Sequence, residues 1–331
     1  MMHAVLPEMV VLAEDLSEIT TLDPKQFWGI PVALVGAALM SFGAQYQSRG
    51  LNKVERLTGE SAGSGLSLRQ VGGLLRRPSW VVGTVLLGLA VVFQIGALAL
   101  SPLIVVQPIG VVAMVITAVL NSRMSGVRLP KRAMVSLAMC VGGIVTFVTI
   151  AAFTAADRPV TDQKLLTILI IYAVVLTVTV VLFVMLRHRA VALFYIVGAG
   201  VLYGFVATFA KTVIGRVQQN EFDWLTWLCV AALLIGALLG MVFVQNAYSS
   251  GPPDLVIAGL TVIDPLVAIL IGIVVLQEAA NAPMWAISSF ILTGIVALIG
   301  VIGLARFHPQ TGRNVLEEPW TGNIRVPRAK S

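Results

Sequence analysis

Asp264 is the residue most able to do chemistry, because of where it stands. It is the one acidic residue deep inside a long apolar run, Leu255–Leu276. A carboxylate at membrane depth costs about 2.5–3.5 kcal/mol even on a lenient insertion scale. It must be neutralised or face a polar cavity, and desolvation favours its protonated form. Proton binding is the chemistry this implies. Pro265 follows directly. A proline inside a helix removes one backbone hydrogen bond and displaces the carbonyl four residues earlier, here that of Thr261. Thr261 and Asp264 are three apart, which puts them on one helix face. The expected site is therefore Asp264, Thr261 and the freed backbone at Pro265.

A second proline stands in a similar setting. Pro108 follows Gln107 inside the run Pro102–Asn121 and would free the carbonyl of Ile104. Amides near other run ends are further candidates: Gln94, Gln245 and Asn246, with Gln45, Ser41 and Tyr203 weaker. Such groups bind solutes, and they also join helices to one another. Lys211 falls near a run end, where a lysine is expected to snorkel to the interface. Cys140 and Cys229 lie inside apolar runs and read as small buried hydrophobes. His3, His188 and His308 are far apart and give no zinc spacing. No phosphate-binding Gly-Lys-Ser/Thr loop occurs, and no nucleophile–base pair or cofactor fingerprint. An enzyme is the least expected class, and no cofactor is expected.

The elements that must carry these residues are membrane spans. Of the 331 residues, 58% are hydrophobic and 11% charged, against about 25% charged in soluble domains. Nine runs reach the roughly 20 residues needed to cross hydrocarbon: Phe27–Gln47, Ser79–Leu100, Pro102–Asn121, Ala133–Phe153, Leu165–Leu186, Val191–Thr212, Trp224–Gln245, Leu255–Leu276 and Met284–Ala305. They do not alternate in polarity as barrel strands do. The expected class is an all-α polytopic membrane protein of nine spans. The chain divides into an acidic segment 1–26, a membrane domain 27–305 and a basic tail 306–331. Residues 66–75, apolar beside Arg69, Arg76 and Arg77, suit an interfacial helix or a plain loop.

Seventeen of the 22 lysines and arginines fall in alternate loops and the tail. The net charge of +6 therefore reflects topology and not nucleic-acid binding. The positive-inside rule puts the N-terminus outside and the C-terminus in the cytoplasm, with the plasma membrane as location and lipids as partners. Asp157, Asp162, Glu221, Asp223 and Glu278 then fall on the outer side.

The runs also repeat. Gln107-Pro108 is followed 13 positions on by Asn121, and Asp264-Pro265 at the same distance by Glu278. Val92-Phe93-Gln94 resembles Phe243-Val244-Gln245, and Val35-Gly36-Ala37 resembles Val197-Gly198-Ala199. Spans one to four (27–153) thus match spans six to nine (191–305), with 165–186 as connector. An odd number of intervening crossings inverts one half relative to the other, the pattern of secondary transporters with a midplane site.

The stretch Ser101-Pro102-Leu103-Ile104-Val105-Val106-Gln107-Pro108-Ile109-Gly110 resembles the third-helix motif of the drug/metabolite transporter superfamily, nearest its NIPA-like magnesium transporter and EamA-like branch. Val262-Ile263-Asp264-Pro265-Leu266, closing at Glu278, is similar to the matching second-half segment. The resemblance covers about Gly29 to Ala305. It implies an inverted-repeat secondary carrier moving a small solute or ion by alternating access, with Asp264 as candidate proton carrier. A Mg²⁺ or divalent-cation carrier is the alternative, in which Asp264 would be a ligand. The NIPA-like branch has a Gly-Glu pair and a later Asn in its second helix, where this chain has Ala90, Val91 and Gln94. A non-transporting scaffold acting through basic loops and tail is a second alternative.

Overall fold

The computed structural model describes residues 24–58, 77–125, 130–186, 192–251 and 253–307. The acidic segment up to residue 23, the stretch 66–75 and the tail beyond 307 lie outside the described residues.

Ten helices follow one another: α1 (Pro24–Thr58), α2 (Pro78–Leu100), α3 (Leu103–Gly110), α4 (Val112–Ser125), α5 (Lys131–Thr154), α6 (Asp162–Leu186), α7 (Ala192–Gln218), α8 (Trp224–Ser250), α9 (Pro253–Val274) and α10 (Met284–Phe307). With α3 and α4 taken as one broken span, nine segments among the described residues are long and apolar enough to cross a membrane. A helix satisfies its own backbone, so an apolar run in lipid has no competing fold except a closed barrel. The chain is therefore a helical protein with nine candidate membrane spans.

Two differences from the sequence expectation matter. The third run divides at Val111, three residues beyond Pro108, while α9 continues unbroken through Pro265. At the division the N–H of Val111 donates to Pro108 O at 3.2 Å and that of Met114 to Val111 O at 3.0 Å. These short three-residue bonds tighten the chain locally. The sixth run also outlasts Thr212 and stays helical to Gln218, bringing Lys211 and Arg216 inside a helix.

Successive helices run up and down. α1 begins, α2 ends and α5 ends on one face of the bundle, called here the near face. The turns 155–161, 219–223 and 275–283 lie on the same face.

Helix pairing depends on small residues, as expected where lipid supplies no hydrophobic drive between helices. α5 crosses α10 at Gly143 and Gly300. A Cβ on Gly143 would stand 2.7 Å from Ala297 N, and one on Gly300 would overlap the Cys140 backbone. α1 and α2 meet similarly at Gly83, whose Cβ would lie 2.5 Å from Gln47 N.

These contacts are backbone on backbone, so no rotamer change relieves them. Gly300→Val is expected to destabilise the purified protein by about 1–3 kcal/mol through overpacking. A thermal unfolding scan in detergent measures this, and an unchanged midpoint would refute the close crossing.

Candidate functional site

α9 packs on α7 through two glycines. A Cβ on Gly200 would meet Ile263 Cβ at 2.6 Å, and one on Gly204 would meet Val267 Cβ at 2.7 Å and Asp264 O at 3.0 Å. Asp264 is partly exposed as a residue, but its Oδ1 is fully enclosed and has no hydrogen-bond partner. A buried polar atom left so is rare and calls for an explanation. Tyr203, whose ring packs on Gly240, stands within electrostatic reach of the Asp264 carboxyl. α3 packs on the same helix α9 and carries Gln107, which is buried.

Thr261 does not join Asp264. Its hydroxyl donates to Ile257 O, one turn back on its own helix, at 2.7 Å. Such back-bonding is the common state of a threonine inside a helix. Thr261 lines a different space with Pro108 and Pro265, an apolar cavity of about 310 Å³ walled also by Ile144, Phe147 and Phe290. Asp264 is not among the residues lining it. The proline pair thus meets across an apolar cavity, while the carboxyl is held elsewhere.

The amides divide in the same way. Ser41 is buried, with its Oγ 2.9 Å from Ala37 O and 2.7 Å from Ala113 O. One turn on, Gln45 Nε2 donates to Asn121 Oδ1. Together these join α1 to α4. Gln94 is half-buried on α2, Gln245 is exposed, and Asn246 donates to Val242 O of its own helix at 2.8 Å. The structure brings none of these three to Asp264.

The near face holds charges that sequence reasoning placed outside. Lys211 does not snorkel, being only 3% exposed. Its ammonium donates to Leu98 O (2.8 Å), Ser101 O (3.0 Å) and Asp157 (2.7 Å). Three acceptors suit an ammonium's three N–H groups. Arg216 is equally buried, and its guanidinium pairs with Asp162 (2.8 Å), Asp223 (2.8 Å) and Glu221. Asp223 also caps α8, accepting from Thr226 N at 3.1 Å. Glu278, which the sequence puts on the outer side just past a span, is only 2% exposed. Its two oxygens accept the N–H groups of Leu103 and Ile104, both at 2.8 Å. The available signal was the supply of nearby partners. Lys211 and Arg216 stand five apart, with three acids in the two adjoining turns and a fourth, Asp162, at the start of α6.

Burial pushes the Glu278 carboxyl up to about 7. Lys211 and the α3 N–H groups pull the other way, and Asp157 adds to the rise. Lys164 on α6 is also within electrostatic reach. Among the described residues there is no group of three or more His, Cys, Asp or Glu able to hold a metal ion.

No family model matches the chain. An uncharacterized protein of Corynebacterium glutamicum is 26% identical over 238 residues, covering 70% of this chain and 81% of the relative. No solved structure matches.

Because the folded value of Glu278 lies above the ordinary 4.5, the protonated carboxyl supports the fold. Its contribution is whole below the ordinary value and is lost as pH rises through about 7. The unfolding midpoint in detergent is expected to drop as pH rises from about 4.5 to about 7, and less so in Glu278→Gln. An identical slope in both proteins would refute the assignment.

Proposed function

We propose that this protein is a secondary membrane transporter of the drug/metabolite type, moving a small solute by alternating access. Asp264 is its proton-binding group. The observation that carries this reading is the helix pairing. α1 packs on α2 and on the broken third span, and α7 packs on α8 and α9. The third span packs on the fourth (α3 on α5), and the eighth on the ninth (α9 on α10). Across the two sets, α3 lies on α9 and α5 on α10, like on like, while α2 also lies on α7. Two inverted repeats related by a pseudo-twofold axis would produce this pattern, with α6 as connector. Such an axis places a site where the spans of Pro108 and Pro265 meet, and Asp264 stands on one of them.

The charge asymmetry assigns the near face to the outside and the basic loops to the cytoplasm. The near face is then closed by the Lys211, Arg216 and Glu278 contacts, one of the two closures that alternating access requires. A carboxyl with one enclosed, unpaired oxygen suits transient protonation better than a structural role, in which a partner would be expected. The divalent-cation alternative has less support. Mg²⁺ is usually held by carboxylates that replace only part of its water, and Asp264 is one carboxyl. A scaffold has no need of a midplane acid.

Proteoliposomes with an imposed pH gradient test the proposal, using a mixture of metabolites, cationic dyes and Mg²⁺ outside and mass analysis of the trapped contents. The expected outcome is gradient-driven accumulation of an organic solute that Asp264→Asn abolishes while the protein remains folded. Accumulation unchanged in Asp264→Asn would refute proton coupling through this residue. Accumulation of Mg²⁺ alone would replace the reading with the cation carrier.

A further inference from the structure

The turn between α9 and α10 is built to insert a side chain into the bundle. α9 ends at Val274, and Gln277 adopts a φ of +61°, in the left-handed region. The chain doubles back there: Leu276 N–H donates to Ile271 O at 3.1 Å and Glu278 N–H to Gly272 O at 3.0 Å. This carries Glu278 inward until its carboxyl sits on the first two N–H groups of α3. Those groups have no partner within their own helix, and they carry the positive end of its dipole. Gly272 makes room for the carboxyl, since a Cβ there would lie 2.9 Å from Glu278 Oε2.

The remaining ties of this turn lie at the rim. Ala156 N donates to Glu278 O at 2.9 Å, Lys164 Nζ to Leu276 O at 3.1 Å, and Arg158 to Asn281 at 2.9 Å. What the turn grips is also distinctive. α3 is an eight-residue helix that joins α4 through Val111, where three-residue hydrogen bonds replace the helical ladder. It is a short lever whose first two N–H groups are held by one side chain, that of Glu278. An apolar residue would plug this position without the desolvation cost of a carboxyl. A carboxyl can exchange its N–H partners for water when the turn lifts, which an apolar plug cannot do.

We propose that residues 275–283 form the gate of the near face and that Glu278 is its latch. Release of the latch lifts the turn and frees α3 to pivot at Val111. The gate belongs to the alternating-access reading above and deepens it, but its test uses no solute.

The test reads solvent access at single cysteines in nanodisc-embedded protein with Cys140 and Cys229 replaced by alanine. Ala155→Cys reports the near face, where Ala155 is fully buried beside the turn. Ala247→Cys, fully buried near the opposite end of α8, reports general loosening. Phe222→Cys, at an exposed near-face position, calibrates thiol reactivity. Glu278→Ala removes both hydrogen bonds that hold the start of α3, so labelling at Ala155→Cys is expected to rise about tenfold, with Ala247→Cys within about twofold. Gly272→Ala keeps every polar group and only crowds the carboxyl. It is expected to shift the same reporter in the same direction by a smaller factor, and it serves if Glu278→Ala does not fold.

An unchanged near-face reporter in the folded variants would overturn the latch, as would a parallel rise at both reporters. A gate that opens in a protein that accumulates nothing in the proteoliposome assay would leave the latch standing and remove the transporter reading. Transport through a turn that never opens would do the reverse.

Discussion

Every polar group in the membrane interior must find its partner within the protein, because hydrocarbon offers none. That constraint makes each long run a helix. It also makes charge expensive wherever it is buried, so each buried charge has to be explained by its contacts. Lys211 and Arg216 meet the requirement fully, one on two carbonyls and a carboxylate, the other on three carboxylates. Glu278 meets it on the backbone of another span. Asp264 Oδ1 does not meet it, and for that reason it is the group from which function is argued.

The two ends of α9 therefore differ in kind. Its middle carries a carboxyl with one buried oxygen left unpaired, beside a proline that the helix absorbs. Its near-face end carries, just past the last turn, a carboxyl with two donors. Complete pairing rigidifies and seals, and incomplete pairing leaves a group ready to take a proton or a ligand. The same separation appears around the cavity between α3, α5, α9 and α10. Its walls are apolar, with Pro108 and Pro265 on them, and polar chemistry is kept off that surface.

Close approach of backbones makes this arrangement possible. Gly200 and Gly204 let α9 lie directly on α7, which encloses Asp264, and Gly143 and Gly300 do the same for α5 and α10. Without these glycines the helices would stand further apart, and the midplane carboxyl would face lipid or water. Packing geometry and electrostatics are thus a single constraint: the small residues set the distance at which an ionisable group becomes buried.

Much of the fold was legible in the sequence, because run length against membrane thickness needs no tertiary information. The nine spans and most of their limits follow from apolar runs alone, as does the depth of Asp264. Pairing was not legible. The spacing of Thr261 and Asp264 suggested a shared polar site, yet Thr261 satisfies itself on its own helix, a local bond that spacing does not exclude. Lys211 and Glu278 stood near run ends and read as surface charges. Their burial depended on acceptors at residues 98, 101 and 157 and on donors at residues 103 and 104, from different segments of the chain. A run of apolar residues states how deep a residue lies along its own helix. Only the assembled bundle decides what faces it there, because that depends on which other helices arrive and which of their groups remain unpaired.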